Sequence, residues 1–319
     1  MRVLNFGSLN IDYVYSLDHI VAPGETITSR GLEVFPGGKG LNQSVALARA
    51  GAEVCHAGMV GEDGGMLLDV CREAGVDVSR VRTAGTRTGN AIIQVSAKGQ
   101  NSIVLYPGAN RAITREYADG VLADFGPGDL LLLQNEVNLV DYLIDRAHER
   151  GMTIALNPSP FDERMLACDL RKVDIFLLNE VEGAQISGRE DPLEILPEML
   201  SRFPGSRIVL TLGKSGVLYG EGETRLSHGV YDVPVVDTTA AGDTFTGFFL
   251  AAALGGETVA EALRLASAAS SLAVSKKGAS SSIPTIEEVR AARLPLSKSP
   301  RGAYGRAGRW EKAHRPALM

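Results

Sequence analysis

The segment Asp237-Thr238-Thr239-Ala240-Ala241-Gly242-Asp243-Thr244-Phe245 sets small residues, a glycine and two carboxylates between apolar stretches at 233–236 and 248–254. The pattern predicts a strand, a tight turn and a buried helix. Such a turn aims successive backbone N–H groups at one point, where the helix dipole also favours negative charge. Asp243 falls at that anion-attracting spot and is itself an anion. A carboxylate there is useful if it takes a proton from a hydroxyl that attacks a phosphate. The plainer alternative is a helix N-cap aspartate.

Two further groups suit a polyhydroxylated ligand. Phe35-Pro36-Gly37-Gly38-Lys39-Gly40-Leu41-Asn42-Gln43 leads into a helical pattern at 44–50 that Gly51 stops. Paired glycines at a helix start let a ligand approach the backbone, and Lys39 and Asn42, three apart, share a helix face. In Gly7-Ser8-Leu9-Asn10-Ile11-Asp12, Asn10 and Asp12 lie on one side of an extended chain. A carboxylate and an amide together match paired sugar hydroxyls. Gly213-Lys214-Ser215 is not the end of a P-loop, because Ile208 stands where the first glycine is required. A Gly-x-Gly-x-x-Gly turn is also missing after the first strand, so an ATP site must be built another way.

The elements that must position these groups alternate. Short apolar runs at 103–105, 130–133, 153–156, 175–178 and 207–210 are separated by helical patterns such as 139–150 and 193–203. This predicts an α/β fold with a parallel sheet covered on both faces and a ligand beyond the strands' carboxyl ends. Those ends carry Asn110, Gln134-Asn135-Glu136, Asn157, Asn179, Thr211 and Asp237, a polar rim. The first hundred residues read instead as looser β segments, including a hairpin around Lys98-Gly99-Gln100, which predicts a small second sheet acting as a lid. Lid strands are expected from about 11–35 and 89–106, a single domain over 1–294, and a basic, mostly disordered tail over 295–319. Small exposed sheets tend to be covered by a partner, which suggests a homodimer through the lid.

The chain has 319 residues, 45% hydrophobic and 22% charged, with a net charge of −6. Acidity gives no support for a nucleic-acid partner, and no stretch is long enough to span a membrane. No signal peptide is evident. Three widely spaced cysteines, Cys55, Cys71 and Cys168, read as idle thiols in a reducing cytoplasm.

Taken in order, GSLNID, PGET, FPGGKGLNQ, YPGAN, LLLQNE, LNPSP, LNEVE, TLGKSGV, DTTAAGDTF and KKGASSSIP resemble the ribokinase-like carbohydrate kinases of the phosphofructokinase-B family over about residues 1–292. The resemblance implies a three-layer α/β/α fold with a mostly parallel central sheet and a small β-sheet lid. It implies ATP-dependent phosphorylation of a pentose primary hydroxyl, first D-ribose at O5, with 2-deoxyribose or a nucleoside (adenosine, inosine, pseudouridine) as alternatives. By the same resemblance, Asn10, Asp12, Gly38, Lys39, Asn42 and Glu136 hold the sugar. Asp243 acts as base, and Ala240, Ala241 and Gly242 form an anion hole. Asn179 and Glu182 organise Mg²⁺ and phosphates, Glu182 through water. Thr211, Gly213 and Gly216 line the nucleotide pocket, with Ser267 near the adenine or ribose. Asp237, Thr239, Ala273, Lys276, Gly278 and Ser282 match positions that hold a monovalent cation, K⁺. Asn135 and Ser267 depart from the family pattern.

Overall fold

The run Leu130-Leu131-Leu132-Leu133 has no polar face, and a strand of that kind must be covered on both sides. A computed structural model describes residues 1–297 and shows the cover. The chain runs β1 (Val3–Phe6), β2 (Asn10–Leu17), β3 (Gly31–Gly37), α1 (Lys39–Arg49), β4 (Val54–Val60), α2 (Gly65–Glu73), β5 (Asp77–Thr83), β6 (Gly89–Ser96) and β7 (Asn101–Tyr106). There follow α3 (Arg115–Leu122), β8 (Leu130–Gln134), α4 (Val140–Glu149), β9 (Thr153–Asn157), β10 (Ile175–Asn179), α5 (Glu180–Ser187), α6 (Pro192–Arg202) and β11 (Arg207–Thr211). The last elements are β12 (Val217–Glu221), β13 (Thr224–His228), α7 (Ala241–Leu254), α8 (Val259–Val274) and α9 (Ile286–Ala291).

The main sheet has the order β13-β12-β11-β10-β9-β8-β1-β4-β5. Strands β11 through β5 in that order are parallel, and β12 and β13 are antiparallel additions at one edge. Alternate residues feed separate cores, as strand geometry requires. Leu130 and Leu132 pack with α1, α7 and α8, whereas Leu131 and Leu133 pack with α3, α4 and α6. Three layers result, and every parallel strand aims its carboxyl end at one rim.

Four features differ from the reading of the sequence. Strands β4 and β5, inside the first hundred residues, join the main sheet next to β1 rather than the lid. The run at 103–105 belongs to lid strand β7 and not to the parallel series. Residues 233–236 form no strand: Pro234 has no N–H to donate, Val235 and Val236 are exposed, and Val236 N–H bonds instead to the Val274 carbonyl at 2.8 Å. Helix α7 begins at Ala241, earlier than the apolar run suggested, so Gly242 and Asp243 lie in its first turn.

The second sheet has the order β3-β2-β6-β7, with β2 and β6 parallel and the outer pairs antiparallel. Its strands join the body at one end, where Asn10 is in register with both Gly37 and Gly89. Register puts Asp12, Phe35, Ala91 and Leu105 on one face, and Tyr13, Val34, Ile92 and Val104 on the other. At the far end of the chain, Ser297 N–H bonds to the Val230 carbonyl and Asp232 N–H to that of Pro295. The remainder of the expected basic tail, 298–319, lies outside the described residues. Among those residues no helix is long and apolar enough to cross a membrane.

Candidate active site

Helix α7 starts without a side-chain cap, after Ala240 in the left-handed conformation (φ 60°, ψ 10°). Of the amides of its first turn, that of Thr244 bonds to the Ala240 carbonyl at 2.8 Å and that of Ala241 to the Thr238 carbonyl at 3.3 Å, which leaves those of Gly242 and Asp243 for an anion. Asp243 projects from this turn and is 7% exposed. Two amides of α1 hold its carboxylate: Asn42 Nδ2 donates to Oδ2 at 3.1 Å and Gln43 Nε2 to Oδ1 at 2.9 Å. The helices can deliver these groups because they touch at Gly247, where a Cβ would fall 2.4 Å from the Ala46 side chain.

The start of α1 explains the paired glycines. A Cβ on Gly37 would lie 2.1 Å from Asp12 Oδ2, and Gly38 sits at φ 93°, a conformation that disfavours side chains. Glu136, following β8, reaches this helix start. Its Oε2 accepts from the Lys39 N–H at 2.9 Å and from Ser8 Oγ at 2.5 Å, which leaves Oε1 for a ligand. Burial pushes Glu136 up from its ordinary value, with Lys39, Ser8 and the Lys39 amide opposing it. Asp12 is pushed up to about 7, first by burial and then by Glu136. Burial works against the Lys39 ammonium, yet Asp243, Glu136 and Glu182 outweigh it and hold the group above its usual value. Asn110 fixes the neighbouring Asn10: its Nδ2 donates to Asn10 Oδ1 at 2.7 Å, leaving the Asn10 amide nitrogen for a ligand. Asn42 Oδ1 is buried without a partner and awaits a donor such as a hydroxyl.

Beside this cluster opens a cavity of about 250 Å³, lined by Lys39, Asn179, Glu182, Thr211, Ala240, Ala241, Gly242 and Asp243 among others. A roomier hollow of about 370 Å³ near Arg80 and Tyr117 holds none of the expected site residues. Asn179 and Glu182 form a capping box at the start of α5. Asn179 Oδ1 accepts the Val181 and Glu182 amides, and Glu182 accepts from the Asn179 N–H and Nδ2. The first turn of α5 is thus satisfied, and the Glu182 carboxylate is held at the cavity wall.

The remaining expected residues gather elsewhere. Gly213 and Gly216 shape the turn after β11, where a Cβ on Gly216 would strike the His228 carbonyl at 2.2 Å. Ser267 is buried within α8 at 5% exposure and does not line the cavity. Asp237 bonds through Oδ1 to the Thr239 N–H and Oγ1, and through Oδ2 to the Gly278 N–H at 3.0 Å. Burial pushes this carboxyl up, but Thr239, Gly278 and Lys277 outweigh it and hold it below its usual range. Gly278 thereby joins the 237–239 turn; Ala273 and Ser282 are buried nearby in sequence, and Lys276 pairs with Glu288. Asn135 braces a loop, donating to the Pro160 carbonyl and to Asp162.

Sequence reading gave no role to Gln43 or Ser8, which touch Asp243 and Glu136 directly. The only available signal was position: Gln43 follows Asn42 in the same first turn, and Ser8 precedes Asn10.

A carboxylate aimed from an uncapped helix start, a lysine, and a second carboxylate cluster under a lid make a site for moving a phosphoryl group onto a hydroxyl. The match to known proteins agrees. The model of the pfkB family carbohydrate kinases fits residues 2–286. A ribokinase of Haemophilus influenzae is 36% identical over 297 residues, 88% of this chain and 95% of the relative. The crystal structure of ribokinase from Cryptococcus neoformans var. grubii serotype A in complex with ADP superposes with a TM-score of 0.80, at 33% identity over 91% of this chain and 98% of that one. Arabidopsis thaliana ribokinase complexed with ribose and ATP superposes equally, with a TM-score of 0.80 at 28% identity over 91% of this chain and 97% of the other. The chain belongs to the pfkB family of carbohydrate kinases and is an ATP-dependent sugar kinase of the ribokinase type.

Proposed function

We propose that the enzyme transfers the γ-phosphoryl group of ATP to O5 of D-ribose. The observation that carries this is Asp243, presented at an uncapped helix start with both oxygens held by amides and with Lys39 and Glu182 lining the same cavity. The Asp12 carboxylate, the free Asn10 amide nitrogen, Glu136 Oε1 and Asn42 Oδ1 supply acceptors and donors for ribose hydroxyls, with Gly38 and Lys39 at the same helix start. Asp243 takes the proton of the attacking hydroxyl late in a loose transition state. The backbone at Ala240, Ala241 and Gly242 receives the charge that develops on the phosphoryl oxygens. Thr211, Gly213 and Gly216 suit the nucleotide side, whereas Ser267, buried within α8, does not reach this cavity. Of the lid aromatics Tyr13, Tyr15, Phe35 and Tyr106, only Phe35 shares the Asp12 face. That small apolar wall favours a free sugar over a nucleoside.

Two ions belong to this reading. Glu182 offers a buried carboxylate with spare lone pairs at the cavity wall, which suits Mg²⁺ held mostly by phosphates and water. Among the described residues no cluster of three or more metal-ligating side chains competes with it. Bound Mg²⁺ supplies charge neutralisation on the phosphates. Asp237, Thr239, Ala273, Lys276, Gly278 and Ser282 offer a carboxylate, hydroxyls and backbone carbonyls, an all-oxygen set suited to K⁺. A second copy of the chain covers the exposed lid face to form a homodimer. Burial pushes the three free thiols up to about 12, which suits a reducing cytoplasm.

The test is ADP release with Mg²⁺-ATP, with and without K⁺, over D-ribose, 2-deoxyribose, fructose 6-phosphate, adenosine, inosine and pseudouridine. Ribose should win and K⁺ should stimulate; preference for a nucleoside would move the substrate. Asp243→Asn should bind ribose yet turn over at least about 100-fold more slowly, the scale of a lost general base. Near-normal turnover in that variant would end its assignment as base.

A further inference from the structure

Gln43 Nε2 donates to Asp243 Oδ1 at 2.9 Å and to Asn157 Oδ1 at 3.0 Å. Its Oε1 accepts from Gln134 Nε2 at 2.7 Å, and the same nitrogen donates to Asn5 Oδ1 at 3.0 Å. Asn5 Nδ2 in turn donates to the Gly40 carbonyl and to Ser44 Oγ, both at 2.8 Å. Ser44 Oγ lies 2.8 Å from His56 Nδ1, and His56 Nε2 lies 3.2 Å from the Gly7 carbonyl. Asn5, Gln43, Ser44 and His56 are fully buried.

The direction of this chain of amides is imposed from its far end. A carbonyl only accepts, so Gly40 fixes the Asn5 nitrogen, and Gly7 fixes the His56 proton on Nε2. Burial pushes His56 down to about 4 and keeps it neutral, so Nδ1 is free to accept from Ser44. The Asn5 oxygen must then face Gln134, which presents its nitrogen. Gln43 is left to present its oxygen to Gln134 and its nitrogen to Asp243. The forced orientation leaves Gln134 Oε1 buried without a partner.

We propose that Gln43 is a positioning residue for phosphoryl transfer: its amide, oriented by Gln134 and Asn5, keeps the Asp243 carboxylate aimed into the cavity. This rests on Asp243 being the base. A reversed Gln43 would set an oxygen against that carboxylate and turn it away. The charged groups that also act on Asp243 are Lys39 from α1 and Glu136 after β8, while Glu182 on α5 faces Lys39.

The experiment measures kcat and sugar KM from pH 5 to 9 for wild type, Gln43→Leu, Gln43→Glu, Gln134→Met and Asp243→Asn, with sugar affinity by calorimetry. Gln43→Leu should lower kcat roughly 10–100-fold, the scale of a small misplacement of a reacting group, while sugar KM changes less than about threefold. Gln43→Glu should move the acid limb of the kcat profile up by about one unit or more, because a second carboxylate opposes ionisation. Gln134→Met should show a smaller loss in kcat, and combining it with Gln43→Leu should add little, as expected of residues acting through one contact. The isosteric glutamate and Gln134→Met keep the test open should the leucine variant not fold. Unchanged kcat and acid limb in the Gln43 variants, with only a lower Tm, would overturn the proposal while an inactive Asp243→Asn preserves the base. Near-normal turnover in Asp243→Asn would overturn the base and the relay together.

Discussion

In the sugar-binding role proposed for it, Asp12 makes sugar binding depend on pH. Its carboxyl is pushed up to about 7 by burial and by Glu136. Only the ionised form accepts from two hydroxyls, so below pH 7 the free enzyme must release a proton before it binds sugar. Sugar KM should therefore rise by about tenfold per pH unit below 7 and level off above it, following proton linkage. Steady-state kinetics with ribose as the varied substrate measures this, and a KM constant from pH 5.5 to 8.5 would refute it. Asp12→Asn should bind weakly at every pH with the slope reduced.

At the scale of elements, the start of α7 depends on Ala240 holding a left-handed conformation that disfavours a side chain. A β-branched residue there meets a larger penalty. Ala240→Val should lose about 1–3 kcal/mol of stability and lower kcat more than it raises sugar KM, because the first-turn amides shift. Denaturation midpoint and kinetics together decide this; a variant with wild-type kcat would disconnect the turn from catalysis. The strand ends of the central sheet were legible in the sequence because fully covered parallel strands carry unbroken apolar runs. Strands β4 and β5 were not, since Val54–Val60 contains His56 and Gly58, and Asp77–Thr83 carries charges along an edge. The run at 233–236 misled for the opposite reason: it is apolar, yet Pro234 breaks any ladder. Asp243 was legible from its turn, whereas the network behind it was not. Gln43, Gln134 and Asn5 are far apart in sequence, and only the packing of α1 on α7 and β1 on β8 brings their amides together.

For the whole molecule, the lid supplies both a ligand-facing surface and an apolar outer one. Ile92 is 43% exposed and Val104 61%, side by side on the face away from Asp12. Exposed neighbouring apolar side chains on a small sheet favour a covering partner. Light scattering should give the mass of two chains for the wild type and of one for Ile92→Asp/Val104→Asp. A wild type of single-chain mass throughout the micromolar range would remove the dimer.

The lid carries Asn10 and Asp12, while Asp243 rides on the body with α7. On the proposed roles, the acceptor is gripped by one part of the molecule and activated by another. A sugar long enough to touch both ties them together, whereas a water molecule seated beside Asp243 makes no tie to the lid. On those same roles, wasteful hydrolysis of ATP would be restrained by reach, the acceptor being measured before the donor is used.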